Sequence, residues 1–188
     1  TALDGSFQAK IKSSARLDTQ RNHTATHLLH EALREILGTH VEQKGSLVKA
    51  QALRFDFSHF AKVSEEELQQ IESLVNERIQ INYALVEDRD LPLEEAKKRG
   101  AMMLFGEKYG ERVRMIGFGE SKELCGGTHS PATGALGLFR ITQETAVASG
   151  IRRIEASTGM AAVLLARQEQ HALKSVKDAL KSPPDLNK

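Results

Sequence analysis

The chain has 188 residues, 40% of them hydrophobic and 27% charged, and a formal net charge of +1. That balance belongs to a folded globular domain rather than a disordered segment, and no stretch of 18 apolar residues offers a membrane-spanning helix. With so little net charge, any nucleic-acid surface must be a local patch. The single cysteine excludes an internal disulfide. The absence of Trp and the scarcity of Tyr and Phe argue against an aromatic platform for single-stranded bases. The first residue is Thr rather than Met, which leads us to expect a piece of a longer protein whose targeting signal is not assessable.

Near the start, residues 7–12 alternate apolar and polar and read as a strand. Asp18 to Asn22 is polar and turn-like, with Asn22 placed to cap a helix. From His23 the apolar residues Ala25, Leu28, Leu29, Ala32, Leu33, Ile36 and Leu37 form a helical stripe that closes at Gly38. His23, His27 and His30 lie nearly opposite that stripe, so they are expected to point away from the core.

Residues 46–49 and 53–57 read as a hairpin, the second strand alternating Leu53, Phe55 and Phe57 with Arg54 and Asp56. Ser64 and Glu67 form a capping box, and Val63 with Leu68 a hydrophobic staple, for a helix reaching about Asn82 on Leu68, Ile71, Val75 and Ile79. Residues 83–88 read as a strand. Pro92 opens a short basic helix stopped by Gly100. Residues 111–118 form another strand, followed by a glycine-hinged loop at 123–129. Strands at 136–147 and 151–156 come next, then a helix over 160–180 ended by Pro183 and Pro184.

Two pairs of residues carry chemistry. His23 and His27, four apart on a helix, project side by side. Cys125 and His129 bracket two glycines that let the backbone fold tightly enough for both side chains to meet one ion. Either pair alone has a plain explanation: a solvated histidine pair, or a small buried thiol. Together they offer three imidazoles and one thiolate, a set that suits tetrahedral zinc, Zn2+. A zinc protease is excluded, because its H-E-x-x-H motif needs a glutamate general base where this chain has Thr24.

In order, R-N-H-T-A-T-H-L-L, Q-K-G-S-L-V, L-R-F-D-F-S-H, C-G-G-T-H and G-I-R-R-I-E-A resemble the editing domain of alanyl-tRNA synthetase over residues 21–159. The two metal half-sites are shared with freestanding trans-editing proteins and, more loosely, with the threonyl-tRNA synthetase editing domain. The resemblance implies a zinc-dependent deacylase that hydrolyses the ester of tRNA(Ala) mischarged with Ser or Gly. It implies zinc ligands at His23, His27, Cys125 and His129. Gln43 would orient water or the ester carbonyl, Thr26 would recognise the seryl hydroxyl, and Arg152 or Arg153 would hold phosphate or the terminal ribose. Asp56 is expected to be structural, and His30 and His59 to be surface residues.

The ATP-dependent aminoacylation core of the parent ligase is not in this stretch, so the chain should edit but not charge. The fold is expected to be α+β, a mixed or antiparallel sheet covered by helices with a zinc-containing cleft. Residues 1–21 would end a preceding β subdomain, 22–159 form the editing domain, and 160–188 lead into a C-terminal region through which oligomers could form. A cytoplasmic location, with no membrane partner, goes with this reading. A threonyl-type or freestanding deacylase and a non-catalytic zinc-stapled tRNA-binding module are the alternatives.

Overall fold

A computed structural model describes residues 10–103 and 108–180. Helix α1 (Ser13–Leu37) opens the described chain, followed by a hairpin of β1 (Gln43–Val48) and β2 (Leu53–Ser58). Then come α2 (Glu65–Ile81), β3 (Val86–Pro92), α3 (Leu93–Lys98), β4 (Arg112–Phe118) and β5 (Ser121–Leu124). A short 3-10 turn (Thr133–Leu136) leads to β6 (Phe139–Ala148), β7 (Ile151–Thr158) and α4 (Gly159–Ala179). The expected α+β class holds, but the strands divide into two antiparallel sheets, one ordered β1-β2-β7-β6 and one ordered β3-β4-β5.

Helix α1 corrects the reading of the first segment. Of the expected strand, residues 7–9 lie outside the described residues and residues 10–12 have no regular structure. The expected turn at 18–22 is helix. Asp18 pairs with Arg21 one turn along at 2.7 Å, and Thr19 Oγ1 donates to Ala15 O at 2.8 Å. Asn22 does not cap. Its Nδ2 donates to Lys49 O at 2.8 Å and Ala50 O at 3.2 Å, and its Oδ1 accepts from Thr158 Oγ1 at 2.7 Å. Asp and Asn stop helices when their side chains bond the local backbone. Here Asp18 pairs with a side chain one turn along and Asn22 with distant partners, and the helix runs through.

Other local signals translate directly. Ser64 and Glu67 form both bonds of the capping box, at 3.2 and 2.8 Å, and Val63 is fully buried beneath them. Gly38 ends α1 at φ 114°, its N–H bonding Arg34 O. The alternation of β2 places Leu53, Phe55 and Phe57 in the core, while Asp56, opposite Arg153 on β7, holds that arginine in a bidentate pair at 2.7 and 2.9 Å. Asp56 is thus structural, as expected. The strand expected at 83–88 sits later, at β3, because Tyr83 and Leu85 bond the 131–133 segment instead.

The main core joins Leu28, Leu29 and Leu33 of α1 to Ile71 and Val75 of α2, Phe55 and Phe57 of β2, Ile154 of β7 and Phe118 of β4. A smaller one joins Leu91, Ala96, Val113, Met115 and Leu124. Strand β6 lies at a sheet edge, and α2 covers its start. Asn76 donates to Phe139 O and accepts from Phe139 N, both at 2.9 Å, as a neighbouring strand would, and Glu72 accepts from Ile141 N at 2.7 Å. This answers the hydrogen-bonding need of an unpaired edge.

Replacing Asn76 with Ala leaves both Phe139 backbone groups without their partner. Urea unfolding is expected to show a loss of about 2 kcal/mol, and a loss under about 0.5 kcal/mol would mean that the amide does not substitute for a strand.

Candidate metal centre

Four side chains converge where the three-stranded sheet closes on α1. His23 and His27 come from α1, Cys125 and His129 from the loop after β5, and their ligand atoms all lie within 4.8 Å of one another. The loop is fixed by Arg114 of β4. Its Nη1 donates to Cys125 O at 2.7 Å and Gly127 O at 2.6 Å, while its Nε binds Glu87 at 2.6 Å. Gly127 is required by close approach: a Cβ there would lie 2.2 Å from His23 Cε1.

The hydrogen bonds fix how two of the rings present themselves. His23 Nδ1 lies 3.2 Å from Thr128 O, which only accepts, so Nδ1 carries the proton and Nε2 presents its lone pair towards Cys125 Sγ at 3.5 Å. His129 Nδ1 contacts Thr24 Oγ1 at 3.2 Å and its Nε2 reaches Cys125 Sγ at 3.4 Å. Thr24 in turn accepts from Ser130 N at 3.0 Å, and Gly127 N donates to Cys125 Sγ at 3.4 Å. A tetrahedral zinc with ordinary Zn–N and Zn–S lengths separates such nitrogen and sulfur atoms by about 3.6 Å. The separations of 3.5 and 3.4 Å fit that ion. His27 Nδ1 is buried with no hydrogen-bond partner, as a nitrogen awaiting an ion would be.

Electrostatics prepare the same set. Burial, then the neighbouring His27, lowers the pKa of His23 to about 4. Burial, then His27 and His23, lowers that of His129 to about 2. His27 is lowered too, by burial, against the opposing pull of Glu123. Near neutral pH all three rings are unprotonated, the form in which imidazole binds metals.

Not every expected site residue joins this cluster. Thr26 is buried on α1, its hydroxyl donating to Asn22 O at 2.8 Å. Gln43 opens β1, its Nε2 3.5 Å from Ser46 Oγ. Arg152 forms a two-bond pair with Glu144 at 2.5 and 2.6 Å. The expectation for His30 is overturned: it is 2% exposed, and its Nδ1 lies 3.1 Å from Glu123 Oε1. His27 is likewise buried, because the second sheet covers the helix face opposite the apolar stripe. His59 remains partly exposed and stacks on His40, 5.2 Å between centroids.

Glu123, Arg114 and Thr24 were not singled out from sequence as site residues, and Gly127 was expected only to let the loop fold tightly. Thr24 lies in the block that holds His23 and His27, and Glu123 and Gly127 lie in the Cys125 loop, whereas Arg114 had no motif beside it. A cleft of about 220 Å³ opens beside Cys125, lined by Lys108, Arg112 and Arg114 among others. A larger one of about 420 Å³ between α2 and β6 contains none of the four clustered residues.

Residues 113–155 match the second additional domain of threonyl and alanyl tRNA synthetases. The match takes in Cys125 and His129 but not the two α1 histidines. Beyond it, the alanine–tRNA ligase of Porphyromonas gingivalis is 55% identical over 182 residues, 97% of this chain. That of Cytophaga hutchinsonii is 54% identical over 188 residues, covering 99% of the chain, and that of Leptothrix cholodnii 54% over 177, covering 94%. The chain spans about a fifth of these relatives, 21%, 21% and 20% of their lengths. The likeness to alanine–tRNA ligases thus extends over almost the whole chain. Among the described residues no helix is long and apolar enough to cross a membrane.

Two outcomes follow from the geometry. Gly127→Ala forces the His23 ring aside, so zinc affinity measured by chelator competition should fall at least about tenfold while the circular dichroism of the fold persists. For the metal-free protein, His23 and His129 take up protons in the unfolded chain near the ordinary 6.5 but, when folded, only near 4 and 2. The unfolded state binds more protons in between, so stability rises with pH there. Melting temperature in chelator should therefore drop as pH is lowered from 6.5 towards 4, and a flat profile would contradict the burial of these rings.

Proposed function

We propose that this chain is the hydrolytic editing unit of an alanyl-tRNA synthetase. In this reading it cleaves the ester joining serine or glycine to the 3′ ribose of tRNA(Ala), in the cytoplasm, with zinc held by His23, His27, Cys125 and His129. The observation that carries the reading is the convergence of three neutral imidazoles and one thiol, drawn from stretches a hundred residues apart, in a chain whose residues 113–155 match the second additional domain of threonyl and alanyl tRNA synthetases. The unit corresponds to residues 22–159, with 160–188 leading towards a C-terminal region through which the parent could oligomerise. Helix α1 joins residues before 22 to the unit without a break.

The physical need is a second sieve. A pocket sized for alanine cannot shut out the smaller glycine, and it rejects an added hydroxyl only weakly. A separate site must therefore recognise the wrong amino acid and hydrolyse it. When bound, the zinc would supply a fixed positive charge that draws the 3′ end and its ester into place. The protein does the rest. Thr26 has given its own proton to Asn22 O, which leaves its oxygen to accept from a seryl hydroxyl. Alanine has no such group. Gln43 presents an amide to orient the attacking water or the ester carbonyl. Arg152, with Nε and Nη2 on Glu144, keeps Nη1 to donate to phosphate or ribose. Four protein ligands would leave no open position on a tetrahedral ion, so a bound ion would supply charge for positioning the substrate, and the protein would guide the water.

The test is deacylation of seryl-, glycyl- and alanyl-tRNA(Ala), with and without chelator. Seryl and glycyl esters should be hydrolysed and alanyl esters spared. Chelation or Cys125→Ala should slow the reaction by on the order of 100-fold or more. Binding of the acceptor stem with the seryl ester left intact would make the domain a zinc-stapled binding module. Preference for a mischarged threonine tRNA would make it threonyl-type. Normal hydrolysis by a Cys125→Ala protein that has lost zinc would remove the metal from the reaction.

A further inference from the structure

Beneath the four clustered side chains lies a fifth, Glu123, that the editing reading does not use. It lies in β5, and Cys125 follows two residues on, just past the strand's end, so the two can face the same side. Two strand residues advance about 6.8 Å and four helix residues about 6 Å, so an antiparallel strand and helix can meet in step. Cys125 Sγ meets His23 Nε2 at 3.5 Å, and Glu123 meets the next two rungs of α1, His27 Nε2 at 3.5 Å and His30 Nδ1 at 3.1 Å. Glu123, His27 and His30 are 5%, 3% and 2% exposed, so these contacts are closed to bulk water.

Of the two nitrogens of His27, Nδ1 has no hydrogen-bond partner, while Nε2 faces the carboxylate. A neutral imidazole has one N–H and one lone pair. If Nε2 carried the lone pair, it would face a carboxylate while a buried Nδ1–H went unpaired. If Nε2 carries the proton, the carboxylate accepts it, and the lone pair of Nδ1 is left for an ion. Only the second arrangement turns an N–H toward the carboxylate at 3.5 Å and leaves no buried N–H on Nδ1 unpaired. We propose that Glu123 is a positioning residue for the metal centre, accepting Nε2–H of His27 and Nδ1–H of His30 and so holding His27 in the tautomer whose Nδ1 binds the ion. His30, on this account, is a brace for the carboxylate, its ring lodged 5.2 Å from that of Phe55. The proposal rests on the metal reading above and adds to it the residues that orient one ligand.

The decisive measurement is long-range proton–nitrogen NMR of the zinc-loaded protein labelled in its histidines. It should show His27 protonated at Nε2 and metallated at Nδ1; the reverse assignment overturns the proposal. Glu123→Gln should weaken zinc, measured by chelator competition, by about 10- to 100-fold, and an unchanged dissociation constant in the folded variant also overturns it. Should that variant fail to fold, His30 supplies an independent pair. His30→Asn keeps a donor at the Nδ1 position and should retain most of the affinity, whereas His30→Phe fills the space without a donor and should lose about tenfold. Equal affinity in the two, which a purely packing role would give, counts against the brace. A wild-type protein that binds no zinc would overturn the metal reading itself, an outcome distinct from zinc bound with unaltered affinity in Glu123→Gln.

Discussion

An ionised carboxylate buried to 5% exposure needs donors around it, or its desolvation opposes folding. Glu123 has His27 and His30 within 3.5 and 3.1 Å, and the meeting of that one carboxylate with α1 determines much of the architecture. Burial pushes the Glu123 pKa up, but the imidazoles outweigh it and leave the group below the usual carboxylate value. For the contact to exist, the three-stranded sheet must lie against the side of α1 that its apolar stripe does not use. The helix is therefore packed on two sides. Leu28, Leu29 and Leu33 meet the main core, and the histidine face meets β5 and its loop.

The same closure makes the metal centre possible. Cys125 follows Glu123 by two residues, so seating one against α1 brings the other to His23. Arg114 ties the loop carbonyls to β4, and Gly127 makes room for the His23 ring. The site's low proton affinity is a consequence of the packing: buried rings crowded against one another and near Arg114 give up their protons. A solvated histidine pair on an exposed helix edge would have neither property. Fold and site are consequently hard to alter separately, since the residues that bury the polar face of α1 are those that orient the rings.

The residue pattern foretold the structure where the deciding interaction is local. Ser64 and Glu67 are three apart and bond each other's backbone whatever surrounds them. The period-two pattern of Leu53, Phe55 and Phe57 states which face of β2 is buried. It failed where a distant partner redirected a side chain. Asn22 looks like a cap until Lys49, Ala50 and Thr158 engage it. His30 looks solvated until Glu123, 93 residues away, bonds it. Tyr83 and Leu85 have the character of a strand but pair with the segment near Pro131 and Thr133 instead.

What the sequence alone determined was chemistry and local form: which donors are available, that His23 and His27 share a helix face, that the glycines after Cys125 permit a tight loop, and where α2 and β2 begin. These depend on spacing along the chain, which is complete information for a helix turn or a strand alternation. Only the tertiary structure decided that the strands form two sheets, that the second sheet covers the histidines, and that Glu123 stands between two of them. Those outcomes depend on the pairing of groups about a hundred residues apart. A buried charge takes its partner from whatever the fold places beside it, and the order of residues does not record that neighbour.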